Sequence, residues 1–317
     1  MSRSGSNLGA MDPSIEQGFS ALRDELRLQL PKPALAAAAE LRAALPDWRR
    51  AGRFIDLGKR FARASAMARE QLPRATLADV NRLLVADLAL VLGSALQARS
   101  IPPDVMALVP SAAARLLGHL RNSVDSSYAY PDDFLVKDLR FAAGLSVPGG
   151  AEVLDLRSTL GARGSAQWLR RQPTLANLWA LLRSTRIDPW FRIHTESRYL
   201  RHFHESGWDA FYHRVASMLE WHPGVRGVVG TSWFFDPQLD TVSPRLAYLR
   251  NPVARGAFLV RGRTGAFDIA SATSNSDARK QLYEAGSYVP VPYTLVWPRA
   301  ALLQWSAACR ERGRMPA

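Results

Sequence analysis

The chain has 317 residues, 47% of them hydrophobic and 22% charged. That is enough apolar content to build a core and too much for an intrinsically disordered polymer; at roughly 150 residues per domain it has room for two domains. One cysteine, Cys309, excludes an internal disulfide framework and every cysteine-rich zinc or iron–sulfur site. A reducing, cytoplasmic setting in a bacterium is the corresponding expectation.

The net charge is +13, a balance that ordinarily indicates a polyanionic partner. Only Lys32, Lys59, Lys137 and Lys280 are lysines, so arginine supplies almost all of it, as expected of a GC-rich bacterial coding sequence. The excess lies in the second half, where residues 151–317 carry +9 against +4 for residues 1–150. It is spread along the chain, with no block of five or six like charges of the kind that makes a nucleic-acid arm.

Residues 1–13 are small and polar and lack the apolar core of a secretory signal. They are expected to be disordered or partly added by cloning, with the natural start near Met11. Residues 14–122 read as helices. Ile15, Phe19, Leu22, Leu26 and Leu30 keep a helical period behind Ser14 and Gln17, which match a capping box. Further helices are expected from Pro33 to Leu45, Trp48 to Gln71, Thr76 to Ala98 behind a Thr76/Asp79 cap, and Pro103 to Leu120. The apolar stretch from Leu83 to Ala98 is too short to span a bilayer and contains Asp87, which predicts a buried helix and no membrane span.

The polar run 122–133 is the expected boundary, and residues 134–317 have the texture of a mixed α/β domain. Phe134 to Val147, a Pro148-Gly149-Gly150 turn and Ala151 to Leu156 suggest a hairpin. A helix from Ala166 to Arg183, a strand from Trp190 to Thr195, a helix from Trp208 to Trp221 and a strand from Val225 to Phe235 follow. Ser243-Pro244 opens another helix in the cap-then-proline order. Strands are expected at Gly256 to Arg261, Phe267 to Ala270 and Tyr293 to Trp297, with a helix from Ser276 to Ala285 closed by Gly286 and a helix at the C-terminus. The fold class is α+β, a helical N-terminal region followed by a mixed sheet.

Chemistry concentrates in two clusters. On a strand, His194 and Glu196 point to the same face, as a base and its partner, two metal ligands, or a plain ion pair would. A mononuclear metal enzyme would need His202, His204 or His213 to complete the set. His202 and His204 themselves are expected in solvent, and Glu205, Asp209 and His213 fall at i, i+4 and i+8 along a helix. Arg198 and Tyr199 follow as substrate-binding candidates. The second cluster, Ser232, Trp233 and Asp236, ends an apolar strand, where ligands of α/β sheets bind; its structural reading gives Trp233 and Phe235 to the core and makes Asp236-Pro237 a turn. Arg245, in the first turn after Pro244, and Arg299 would hold an anionic substrate, and Lys137-Asp138 would be a buried or site-facing pair in the first hairpin. Gly-x-Gly-x-x-Gly, P-loop and Gly-x-Ser-x-Gly patterns are absent, which argues against Rossmann, P-loop and α/β-hydrolase chemistry.

Two resemblances add to this. Asn275, Ala278, Leu282, Tyr283 and Gly286, ahead of Tyr288, resemble the Asn-x-x-Ala-x-x-Leu-Tyr-x-x-x-Gly-Phe segment of the GCN5-related N-acetyltransferases. The resemblance implies an acyltransferase-like fold, acyl-CoA as the donor, and Tyr283 as the acid for the leaving thiolate. Where that family's pyrophosphate loop opens the preceding helix, this chain has Ser243-Pro-Arg-Leu-Ala-Tyr. The longer stretch formed by KDLRF, HTESRYLRHF, GTSWFFDP, SPRLAYLR, YEAGSYVPVPY and VWPR, across residues 134–300, is similar to a group of bacterial proteins without an assigned activity. Together these readings lead to a small-molecule enzyme, transferase-like, with its pocket at the strand ends. The alternatives are a non-catalytic protein whose basic C-terminal face holds nucleic acid or a protein partner, and a metal enzyme on His194 and Glu196.

Overall fold

The computed structural model describes residues 12–45, 58–122, 128–129, 133–160, 162–171, 187–195, 198 and 200–313. They divide into two compact units, Met1–Pro148 and Gly149–Ala317. Residues 1–11 and the first part of the Trp48 helix lie outside the described residues, whereas Asp12 and Pro13, expected in the disordered segment, cap and open the first helix.

The first unit is helical as its periodicity predicts. Its main helices are α1 (Pro13–Gln29), α2 (Lys32–Ala44), α3 (Gly58–Gln71), α4 (Arg74–Ala89), α5 (Leu92–Gln97), α6 (Val109–Asn122) and α7 (Asp133–Ala142). The cap of α1 is Asp12, whose carboxylate accepts from the Ser14 backbone N–H at 2.9 Å, so Ser14 lies inside the helix rather than capping it. α4 is the centre of the unit, buried at Leu77, Val80, Leu83, Leu84, Val85 and Leu88. Its buried Asn81 donates to the Tyr128 carbonyl at 2.6 Å, and Arg82 donates to the Leu120 carbonyl at 2.7 Å. Asp87 is not a membrane-incompatible accident but an ionic tie, 3.1 Å from Arg27 on α1 and 2.9 Å from Arg42 on α2.

Two expected segments in this unit differ. The Thr76–Ala98 helix is broken between Ala89 and Leu92, and Phe134–Ala142 is helix α7 rather than the first arm of a hairpin. Leu135, Leu139 and Ala142 recur at helical spacing and are fully buried. Only Ser146–Pro148 forms the expected first arm, as the short strand β1.

Strands β2 (Val153–Leu160), β3 (Ile187–His194), β4 (Gly227–Ser232), β5 (Phe258–Arg261) and β6 (Tyr293–Pro298) follow. Within the second unit the strands form a mixed sheet in the order β2-β3-β4-β6-β5. β3 and β4 are parallel, and every other pairing described within the second unit is antiparallel. Helix α9 (Glu205–Trp221) is the crossover that a parallel pair requires, and Phe211, Val215, Met218 and Leu219 are buried on it as expected. Its Tyr212 ring packs on Trp297 of β6, centroids 4.9 Å apart, and Trp305 of the C-terminal helix α12 (Arg299–Glu311) packs on Trp297 from 5.2 Å. On the opposite face Trp168 of α8 (Ala162–Arg171) meets Trp190 of β3 edge to face at 5.2 Å, in a cluster with Leu160, Val229, Phe258 and Val296. The sheet is therefore covered on both faces, the layering expected of an α/β unit.

The remaining connections are short. Ser243-Pro244 opens a 3-10 turn, Pro244–Arg250, without a side-chain cap. The run Phe267–Ala270 is not a strand; it belongs to helix α10 (Ala266–Thr273), because the Asp268 carboxylate accepts from the Gly265 N–H at 2.8 Å and caps the first turn. Helix α11 (Asp277–Glu284) starts at the expected Ser276 cap, and Gly286 after it has φ +70°, the left-handed conformation that closes a helix.

Candidate functional site

β3 and β4 run parallel, so their carboxyl ends, His194 and Ser232, lie at the same end of the sheet. The register fixes what surrounds them. Val153 of β2 is opposite His194, Asp155 is opposite Arg192, and Tyr293 of β6 is opposite Ser232. Residues directly opposite in a ladder share a face, so Asp155, Arg192 and His194 project together, and Val229, Thr231, Thr294 and Val296 continue that face across β4 and β6. Below, towards the amino ends of β3 and β4, this face is apolar, the Trp168/Trp190 cluster. Above, it becomes polar.

The polar part centres on Asp155 and His194. Asp155 Oδ2 is 2.5 Å from His194 Nε2, with the carboxylate buried and the imidazole about one quarter exposed. The contact is ionic when the ring carries both protons. Beside it the Arg192 guanidinium donates to Ser158 Oγ at 2.8 Å. One strand further, Thr231 and Thr294 share a hydrogen bond of 2.8 Å at the open end of the sheet. A buried carboxylate holding one ring nitrogen leaves the other ring nitrogen as the place where a proton is exchanged. A cationic side chain and two hydroxyls lie on the same face.

Asp155 escaped the sequence reading. The signal was a lone acidic residue inside the apolar strand Val153-Leu154-Asp155-Leu156, a placement that costs free energy unless a partner is present. Glu196, the partner expected for His194, lies outside the described residues, as does Tyr199; Arg198 is half-buried just beyond β3.

The second cluster forms a different arrangement. Ser232 Oγ accepts from the Phe234 N–H at 3.2 Å and starts a 3-10 turn in which Trp233 and Phe235 are buried. Asp236, also buried, accepts from the backbone N–H groups of Gln238 at 3.0 Å and Val291 at 2.9 Å. Arg279 of α11 reaches back to this loop. Its guanidinium donates to the Ala272 carbonyl at 2.6 Å and to Ser243 Oγ at 3.1 Å, and it lies 4.8 Å from the Trp233 ring centroid. Tyr288 completes the cluster, its hydroxyl raised to about 12, first by burial and then by the charge of Asp236. Ser232, Trp233 and Asp236 thus have structural duties in joining the loop after β4 to the segment before β6.

The other candidate residues are dispersed. Tyr283 is partly exposed on α11, between β5 and β6, and Arg245 is exposed in the 3-10 turn. Arg299 is at the wrong end of β4 for the dyad, because its neighbour Pro298 pairs with Gly227, and it donates to the Leu219 and His222 carbonyls at the end of α9. Lys137 and Asp138 are consecutive residues of the helix α7 rather than of a hairpin, and both are buried. The Asp138 carboxylate takes the Tyr128 hydroxyl, and Lys137 Nζ lies 5.7 Å from the centroid of the Phe134 ring. His204 caps α9 by accepting from the Gly207 N–H at 3.2 Å. Glu205, Asp209 and His213 do not form a ladder with one another in solvent. They bind Asn251, Arg255 and Ser306 respectively. Among the described residues, no group of three or more His, Cys, Asp and Glu side chains converges as metal ligands would, and no helix is long and apolar enough to cross a membrane.

The class these features define is a mixed α/β unit with a His–Asp pair at the carboxyl end of its parallel strands. No known family model matches the chain, and no curated protein or solved structure matches it.

Proposed function

We propose that the second unit is a small-molecule enzyme of the acyl-transfer type, in which His194, held by Asp155, is the general base. The observation that carries this reading is the 2.5 Å approach of the buried Asp155 carboxylate to His194 Nε2 at the open end of the parallel pair. A nucleophile on the acceptor, an amine in the simplest case, loses its proton to the free ring nitrogen of His194 as it bonds to the acyl carbon. The bond to the carrier sulfur breaks with its electron pair, and the departing thiolate takes the proton that the His194 imidazolium gives up. Asp155 orients the ring and stabilises the imidazolium that forms.

Arg192 lies on the same sheet face and Arg198 follows β3; together they favour an anionic acceptor or donor. Thr231 and Thr294 offer hydroxyls to polar groups beside the acyl carbon. The resemblance of residues 275–288 to the GCN5-related N-acetyltransferases supports acyl-CoA as the donor.

The test is thiol release from a panel of acyl-CoA thioesters with amine acceptors, on the full chain. Turnover that falls by about 10²-fold or more in His194→Gln, with an unchanged melting temperature, supports the reading. Turnover unaffected by His194→Gln, or no thiol release and no co-purified acyl donor by native mass spectrometry, overturns it.

A further inference from the structure

The loop that follows β5 presents an aromatic ring to solvent on a rigid frame. Phe267, the second residue of α10, is 74% exposed, the most exposed aromatic side chain among the described residues. The loop beneath the ring is fixed at three points: Gly262 N–H donates to the Pro292 carbonyl at 2.7 Å, Thr264 Oγ1 donates to the Pro290 carbonyl at 2.8 Å, and the Asp268 carboxylate holds the Gly265 N–H. Phe267 is therefore displayed from a fixed loop and is not the side chain of an unanchored one.

Arg261, which ends β5, and Arg263 precede it within six residues of sequence. Both are exposed and neither has an ion-pair partner among the described residues. Some arginines of the second unit bond internally, as Arg255 does to Asp209, Arg279 to Ser243 and Arg299 to the end of α9; Arg261 and Arg263 do not. The one acid in the loop, Asp268, has its carboxylate committed to the helix cap. An unneutralised pair of guanidinium groups in the same short segment as an outward aromatic ring is complementary to a chain of phosphates carrying planar bases. The half of the sequence that holds it also carries the +9 excess.

We propose that Arg261, Arg263 and Phe267 form a docking surface for single-stranded nucleic acid, with a base stacked on Phe267 and adjacent phosphates on the two arginines. This surface does not depend on the acyl-transfer reading. A membrane is a poorer fit: one ring, with Ile269 partly covered and Ala272 buried on the same short helix, offers far less apolar area than an interfacial helix needs.

The experiment is fluorescence anisotropy of labelled mixed-sequence RNA and DNA 12-mers with the full chain across a salt series, alongside sedimentation with anionic phosphatidylserine vesicles. We expect binding to weaken about tenfold in Phe267→Ala and to survive in Phe267→Tyr, since stacking on any aromatic face serves. Arg261→Gln with Arg263→Gln should lower the slope of log affinity against log salt by about 1.4, roughly 0.7 for each single-strand phosphate that is no longer neutralised. All three positions are exposed, so unchanged thermal melts are expected. Oligonucleotide affinity that is absent, or unchanged in Phe267→Ala and the double arginine variant, overturns the proposal, and so does vesicle binding without oligonucleotide binding.

Discussion

Asp236 and Val291 are 55 positions apart in sequence and joined by one hydrogen bond, the Val291 backbone N–H donating to the buried Asp236 carboxylate at 2.9 Å. The same carboxylate accepts from the Gln238 N–H, so it closes its own turn and anchors the segment leading into β6. Buried donors left without an acceptor cost about 1–3 kcal/mol each. Asp236→Ala should therefore lower stability by ~3 kcal/mol, read as a shift of the urea midpoint. Asp236→Asn should recover part of that loss, since its amide oxygen still serves one of the two donors. An unshifted midpoint in Asp236→Ala would contradict this role.

His213 stacks on Trp305 with ring centroids 4.5 Å apart and shares a hydrogen bond of 2.9 Å between Nδ1 and Ser306 Oγ. Burial pushes its ionisation below the ordinary histidine value of 6.5, and Arg310, Arg255 and Arg214 push the same way against Asp209. The folded ring then binds its proton at lower pH than the unfolded one. Its stabilising contribution is complete above about pH 6.5 and is lost as pH falls through the depressed folded value. Stability measured by chemical denaturation between pH 7 and 5 should decline less steeply in His213→Asn than in the natural chain; parallel declines would refute the assignment.

Gly227 begins β4 with φ +147°, and a Cβ placed there would lie 2.2 Å from the Trp297 carbonyl oxygen and 2.8 Å from the Trp190 ring. Both neighbours are core, one of them backbone, so neither gives way cheaply. Gly227→Ala should cost at least ~2 kcal/mol and lower the melting temperature by about 5 °C or more. A melt equal to that of the natural chain would show that the start of β4 relaxes freely.

Much of this fold was readable because one face of each element is buried. Phe19, Leu22 and Leu26 mark α1, and Phe211, Val215, Met218 and Leu219 mark α9, through a period that survives any detail of packing. The Phe267–Ala270 run failed for the opposite reason: four residues fit strand or helix alike, and the Asp268 cap decided for helix. Phe134–Val147 failed because a mostly buried helix shows little contrast between its faces. At the site, His194 was visible as a polar residue ending an apolar strand, whereas its partner was not. Asp155 meets it through the pairing of β2 with β3, and that register includes irregularities near Ser158 that no local pattern announces.

The most direct test of the His194–Asp155 pair is side-chain 15N NMR of the His194 ring, in the natural chain and in Asp155→Asn. With Asp155 at Nε2, the neutral ring should carry its proton on Nε2 and leave Nδ1 bare to accept one, and the Asp155→Asn change should disturb that preference. A ring protonated on Nδ1, or a tautomer indifferent to Asp155→Asn, would contradict Asp155 as the residue that orients the base.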